Sequence, residues 1–174
     1  MQDQPSAVRP GTRTEANPPL GRFYEVGGRR LLLHRSGSGT PAWTHRYGSI
    51  TSRSGGASSS DAVAIDSSDN IAIVGVFSNT SLNTGTDFGG GALLSAGQGD
   101  GFVAKYTAAG TFSWGKRYGG SAGDEGRGIA IDGGGNVLII GNFYGTADFG
   151  AQTLVSNANS SDVFLARLLA SGSL

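Results

Sequence analysis

The sequence predicts an all-β fold, built from two copies of a four-stranded antiparallel unit and preceded by a hairpin and a polar tail. Three observations carry this. Glycine takes 31 of 174 positions, which disfavours long helices and suits a chain of tight turns. Short runs rich in β-branched residues recur between those glycines, as strands require. The third observation is that the chain repeats itself, which must be settled before any other pattern is read.

The repeat is visible in four blocks. "DSSDNIAIVGVF" from Asp66 aligns with "DGGGNVLIIGNF" from Asp132, 66 residues apart. "DFG" occurs at Asp87 and at Asp148, 61 apart. "DGFVAK" from Asp100 matches "DVFLAR" from Asp162 at 62, and "WTHRYG" from Trp43 matches "WGKRYG" from Trp114 at 71. The spacing changes inside "SITSRSGGASSS", inside "SNTSLNTGT" and near "LLSAGQG". These polar or glycine-rich stretches read as loops, because insertions collect where backbone is solvated.

Taken in order, residues 1–20 are polar and proline-rich, the composition of a disordered tail. Residues 21–41 form a separate extension. "FYEV" and "RLLLH" flank Gly27-Gly28, a hairpin signal. The first unit, 42–107, is expected to hold strands over about 42–48, 61–66, 70–77 and 101–107. The second, 108–174, is expected to hold them over about 111–118, 126–132, 136–143 and 162–168. Ile71–Phe77 and Val137–Ile140 are apolar on both faces, as in strands covered on both sides. Phe112, Trp114 and Lys116 alternate with small polar residues, as in a half-exposed strand. "DSSDN" and "DGGGN" join two strands each and read as hairpin turns, where Asp, Asn and Gly tolerate left-handed backbone. Four strands per unit in an all-β repeat suggest propeller-type blades, and two blades make a partial propeller.

The stretch "WGKRYGGSAGDEGRGIAIDGGGNVLIIGNFYGTADFG", followed by "SDVFLARLLASG", resembles the SBBP β-propeller repeat of bacterial proteins. The resemblance spans about residues 42–174 in two copies. The first copy departs from it by a longer Trp-to-Asp spacing and by Asp69 where Gly is usual. The resemblance implies a bacterial binding or structural scaffold located outside the cell or in its envelope. Two blades are too few for a ring, and the next Trp of the series would fall at about position 176. The chain is therefore expected to be a piece of a longer propeller, or to pair its open edges with another copy. Expected partners are further repeats of the same propeller, a protein of unknown identity, or a second copy meeting the open blade faces.

Thirteen basic and thirteen acidic residues cancel, which gives no electrostatic footprint for nucleic acid or an anionic membrane. The absence of Cys excludes disulfides and thiolate metal sites. No apolar run reaches membrane-spanning length, and the polar start does not resemble a secretory signal.

Four motifs raise chemistry. Gly119-Gly120-Ser121-Ala122-Gly123 has the letters of a hydrolase nucleophile elbow, and residues 21–41 resemble the opening hairpin of α/β-hydrolases. The elbow needs a strand, a sharp turn and a helix, with the histidine last in the chain. Ser121 lies between expected strands, and His34 and His45 precede it. Gly110–Lys116 resembles a phosphate-binding loop, but Arg117 stands where Ser or Thr would hold magnesium. Asp87 and Asp148 match the kinase Asp-Phe-Gly only in letters, since no His-Arg-Asp loop is present. Asp66, Asp69 and Asn70 offer oxygen ligands to calcium, and Gly97-Gln98-Gly99-Asp100 faintly resembles a calcium β-roll; the second copy keeps only Asp132 and Asn136. The expectation is a non-enzymatic scaffold with no catalytic, cofactor or metal residues. A fragmentary esterase-like hydrolase and a calcium- or carbohydrate-binding β module are the alternatives.

Overall fold

The computed structural model describes residues 22–26, 29–33, 42–49, 58–78, 85–157 and 160–174. Among them every regular element is a strand, and the strand pairings are antiparallel. β1 (Arg22–Val26) and β2 (Arg29–Leu33) pair from Arg22 opposite Leu33 to Val26 opposite Arg29, so the predicted hairpin is present. The tail 1–20 and Gly27-Gly28 lie outside the described residues.

The first copy contributes β3 (Gly48–Ser49), β4 (Ser58–Ile65), β5 (Ile71–Phe77), β6 (Thr86–Asp87), β7 (Ala92–Leu93) and β8 (Asp100–Tyr106). The second contributes β9 (Phe112–Gly120), β10 (Glu125–Ile131), β11 (Val137–Tyr144), β12 (Thr146–Asp148), β13 (Thr153–Val155) and β14 (Ser161–Leu168). Pairing repeats with sequence. β4 joins β5 as β10 joins β11, and both pairs shift register at the same place, between Ser60 and Ala62 and between Gly126 and Gly128. The two-residue ladder of β3 with β6 recurs between the end of β9 and β12.

Two expectations are corrected. The strand expected over 42–48 is reduced to Gly48–Ser49, and Trp43–Tyr47 belong to no described ladder. The strand expected to open the second blade, β9, instead runs along β8, with Gly101 opposite Tyr118 and Lys105 opposite Trp114. The first sheet is thus β4-β5-β8-β9, extended by β12 and β13, and the second is β10-β11-β14. Sequence copy and sheet are out of phase by one strand. A tight turn at 107–110, with Thr107 N–H donating to Thr111 O, returns the chain from β8 directly onto its edge.

β5 has no exposed side, as predicted. Its alternate residues Ile71, Ile73 and Phe77 enter one apolar cluster with Phe88, Phe102 and Tyr106. Ala72 and Val74 enter another with Val103, and the second copy completes that cluster with Val137, Ile139, Phe143, Phe149, Phe164 and Leu168. β10 lies across β4, β5 and β8 to close this junction. Gly126 on β10 fits between Val74 and the Tyr118 hydroxyl, where any side chain would collide. The strand 137–140, apolar on both faces, is covered on one face only, and its far face stays open as expected for a two-unit chain. Ile140, Val163 and Leu165 on the far face are 45%, 69% and 72% exposed.

Candidate functional site

The repeated residues are committed to architecture. Asp66 accepts from the backbone N–H of Ser68 and Asn70 at 2.9 Å and from Asn70 Nδ2 at 3.0 Å. Asp132 accepts the same set from Gly134 and Asn136. The left-handed position of the turn is held by Asp69 (φ 62°) in one copy and by Gly135 (φ 78°) in the other. A cation from the last strand faces each carboxylate: Lys105 Nζ lies 3.7 Å from Asp66 and Arg167 lies 2.7 Å from Asp132. Burial opposes ionisation of Asp66, yet the Asn70 and Ser68 hydrogen bonds and Lys105 outweigh it and hold its carboxyl below the ordinary value. The Asn136 side chain and Arg167 do the same for Asp132.

The Asp-Phe-Gly pair is equally structural. Asp87 accepts the Gly89 N–H and Asp148 the Gly150 N–H, both at 2.7 Å, and each turns the chain so that Phe88 or Phe149 enters its core. Phe88 stacks on Phe102 at 4.2 Å, and Phe149 meets Phe164 at 4.8 Å. Trp43 Nε1 donates to Ala108 O at 3.0 Å, and Trp114 Nε1 to Ala170 O at 2.9 Å. The two tryptophans rest on the left-handed Gly110 and Gly172. They are equivalent, as the sequence predicts.

The chemical motifs are not brought together. Ser121 is exposed in a bend, and a strand follows it, not a helix. His45 stacks with Tyr47 and Tyr106 and meets Trp43 at a tilt, and His34 lies outside the described residues. Gly110–Lys116 is the turn and first half of β9. The oxygens of Asp66 that calcium would need are already met by backbone donors, Asn70 and Lys105. Among the described residues no three acidic or histidine side chains converge as a metal site would require.

Sequence reasoning missed the junction between the copies. Asp100 and Asp124 are both fully buried, and their carboxylates occupy the space that a side chain on Gly119 (φ 130°) would need. Asp124 accepts from Gly120 N–H at 2.7 Å and Tyr144 N–H at 3.2 Å. Asp100 accepts from Ala96 N–H and lies 3.4 Å from Arg117, while its Oδ1 has no partner. Burial raises the Asp100 carboxyl against the pull of Ala96 and Arg117. Burial also raises Asp124, against its backbone donors, and the charge of Asp100 adds to the rise. The available signal was that Asp124 has no acidic counterpart in the first copy, where Ser58 occupies the place.

The surface offers two features. One is an open cleft of 290 Å³ whose lining includes Phe88, Leu93, Phe112, Trp114 and Lys116. The other is the far face of the second sheet, with Ile140, Tyr144, Val163 and Leu165 exposed together on β11 and β14. Their repeat counterparts on the first sheet include Val74 and Val103, which are buried under the second copy. No family model matches the chain, and no curated protein is significantly similar to it.

Proposed function

We propose that the chain is a non-enzymatic segment of a β-propeller of the SBBP-repeat kind, acting as a structural or protein-interaction scaffold outside the cell or in its envelope. The observation that supports this reading best is the fate of the repeated residues. The Trp, Asp-Phe-Gly, Asp-to-Asn turn and Lys or Arg positions all serve turns, cores or sheet-to-sheet contacts. A polar residue kept in two copies and used identically in both has a structural task that any unit would need. Face-to-face packing of successive sheets, as between the first sheet and β10-β11-β14, is also what a propeller requires of its blades.

The test is hydrolysis of a short-chain nitrophenyl ester by the intact chain and by Ser121→Ala. Equal background rates are expected, with unchanged melting. Loss of turnover in the variant would replace the scaffold reading with the esterase one.

A further inference from the structure

We propose that the exposed face and free edge of the second sheet bind the first sheet of a second copy of this chain, head to tail, with residues 43–48 of the partner subunit adding as a fourth strand along β14. The proposal rests on the repeat-scaffold reading and names its partner.

The structure contains one finished junction and both halves of another. In the finished one, β9 closes the edge of β8, while Val74 and Val103 are buried by the second copy. Among the described residues β14 is the edge strand of the second sheet, and Ile140 and Leu165, the counterparts of Val74 and Val103, face solvent. What closes β8 is the stretch Trp114-Gly-Lys-Arg-Tyr118-Gly, and its counterpart Trp43-Thr-His-Arg-Tyr47-Gly lies in no ladder before Gly48. That stretch cannot reach β14 of its own copy. Trp43 is tied to Ala108, and Tyr47 stacks on Tyr106 at 5.3 Å in the first sheet's core. It stands before the first sheet as β9 stands before the second, where Trp114 is tied to Ala170. A second copy therefore presents the missing strand already docked against the sheet face that must follow it. That face is ready as well. Val63 and Ile65 pack on the first cluster as Ile129 and Ile131 pack on the junction cluster.

The register follows from β8 and β9. Val163 pairs with Tyr47 of the partner subunit, Leu165 with His45 of the partner subunit, and Arg167 with Trp43 of the partner subunit. The contact joins different surfaces on the two copies, so it propagates into a ring or a filament. Main-chain pairing along an exposed edge supplies the adhesion, and the buried apolar face supplies the specificity.

The chain has no Cys, which makes cross-linking clean. Leu165→Cys and His45→Cys are both at exposed positions, and residues opposite one another in adjacent strands lie within disulfide reach. Each variant is oxidised by itself as a control, and the two reduced variants are mixed and then oxidised together, while the unmodified chain is sedimented over a concentration series. The expected result is concentration-dependent assembly, a disulfide dimer only in the mixture, and loss of assembly in Leu165→Asp with an unchanged β spectrum. A monomer at every concentration would overturn the proposal. Cross-linking of Leu165→Cys to itself would overturn it in favour of a symmetric face-to-face dimer. Either outcome leaves the scaffold reading standing, whereas a helical spectrum of the unmodified chain would remove that reading too.

Discussion

The two sheets are near copies in sequence and unlike in environment. β5 and β8 are buried on both faces, whereas β11 and β14 turn alternate residues to solvent. The apolar pattern changes little: Val74 and Val103 of the first sheet correspond to Ile140 and Leu165 of the second. A strand's sequence therefore records the faces it can cover, and the neighbours present decide which are covered.

The strongest way to break this comparison is to place one charge at the same repeat position twice. Val103→Asp buries an unpaired carboxylate in the junction and should cost more than about 4 kcal/mol. Leu165→Asp should leave the stability of the single chain within about 0.5 kcal/mol. Urea melts of both variants at low protein concentration measure the contrast, and equal losses would abolish it. Backbone strain gives the next effect. Gly119→Ala combines a left-handed φ with collision against two carboxylates and should cost about 3 kcal/mol. Gly145→Ala has a φ of 64° and open space around it, so about 1 kcal/mol is expected.

A third contrast lies in the cations. Lys105 is buried between Asp66 and Gly135 O, whose carbonyl it reaches at 2.7 Å, so Lys105→Met should cost about 2 kcal/mol. Arg167→Met, on an exposed pair, should change the melt little. The smallest effect is with pH. The folded Asp100 carboxyl is raised, so the unfolded chain ionises first as pH climbs past about 4. The wild type should lose stability relative to Asp100→Asn between there and neutrality. Asp66 has the opposite sign: its contribution is full above the ordinary carboxylate range and fades as pH falls through its lowered value. Thermal melts from pH 3 to 8 separate the two, and parallel curves for wild type and Asp100→Asn would contradict the first.

Much of the fold was legible. The long strands, the turns at Asp66 and Asp132, the β1–β2 hairpin and the equivalence of Trp43 and Trp114 follow from periodicity and spacing. The phase of the sheets does not. Self-similarity fixes a period but not where a unit begins, so periodicity alone assigns β9 to the wrong sheet. β6, β7, β12 and β13 are two or three residues long, too short to show alternation. The Asp100–Asp124 pair was hidden because the two residues belong to different copies and meet only when the sheets pack.

The one-strand offset between copy and sheet has a consequence for synthesis. As the chain leaves the ribosome, β4, β5 and β8 emerge together, but the strand that seals them is written into the following copy. The first sheet keeps an open edge until Gly120 has been translated, and its second face stays wet until β10 and β11 arrive. Each unit is finished by its successor, so folding proceeds as a relay in which the growing end is always the sticky one.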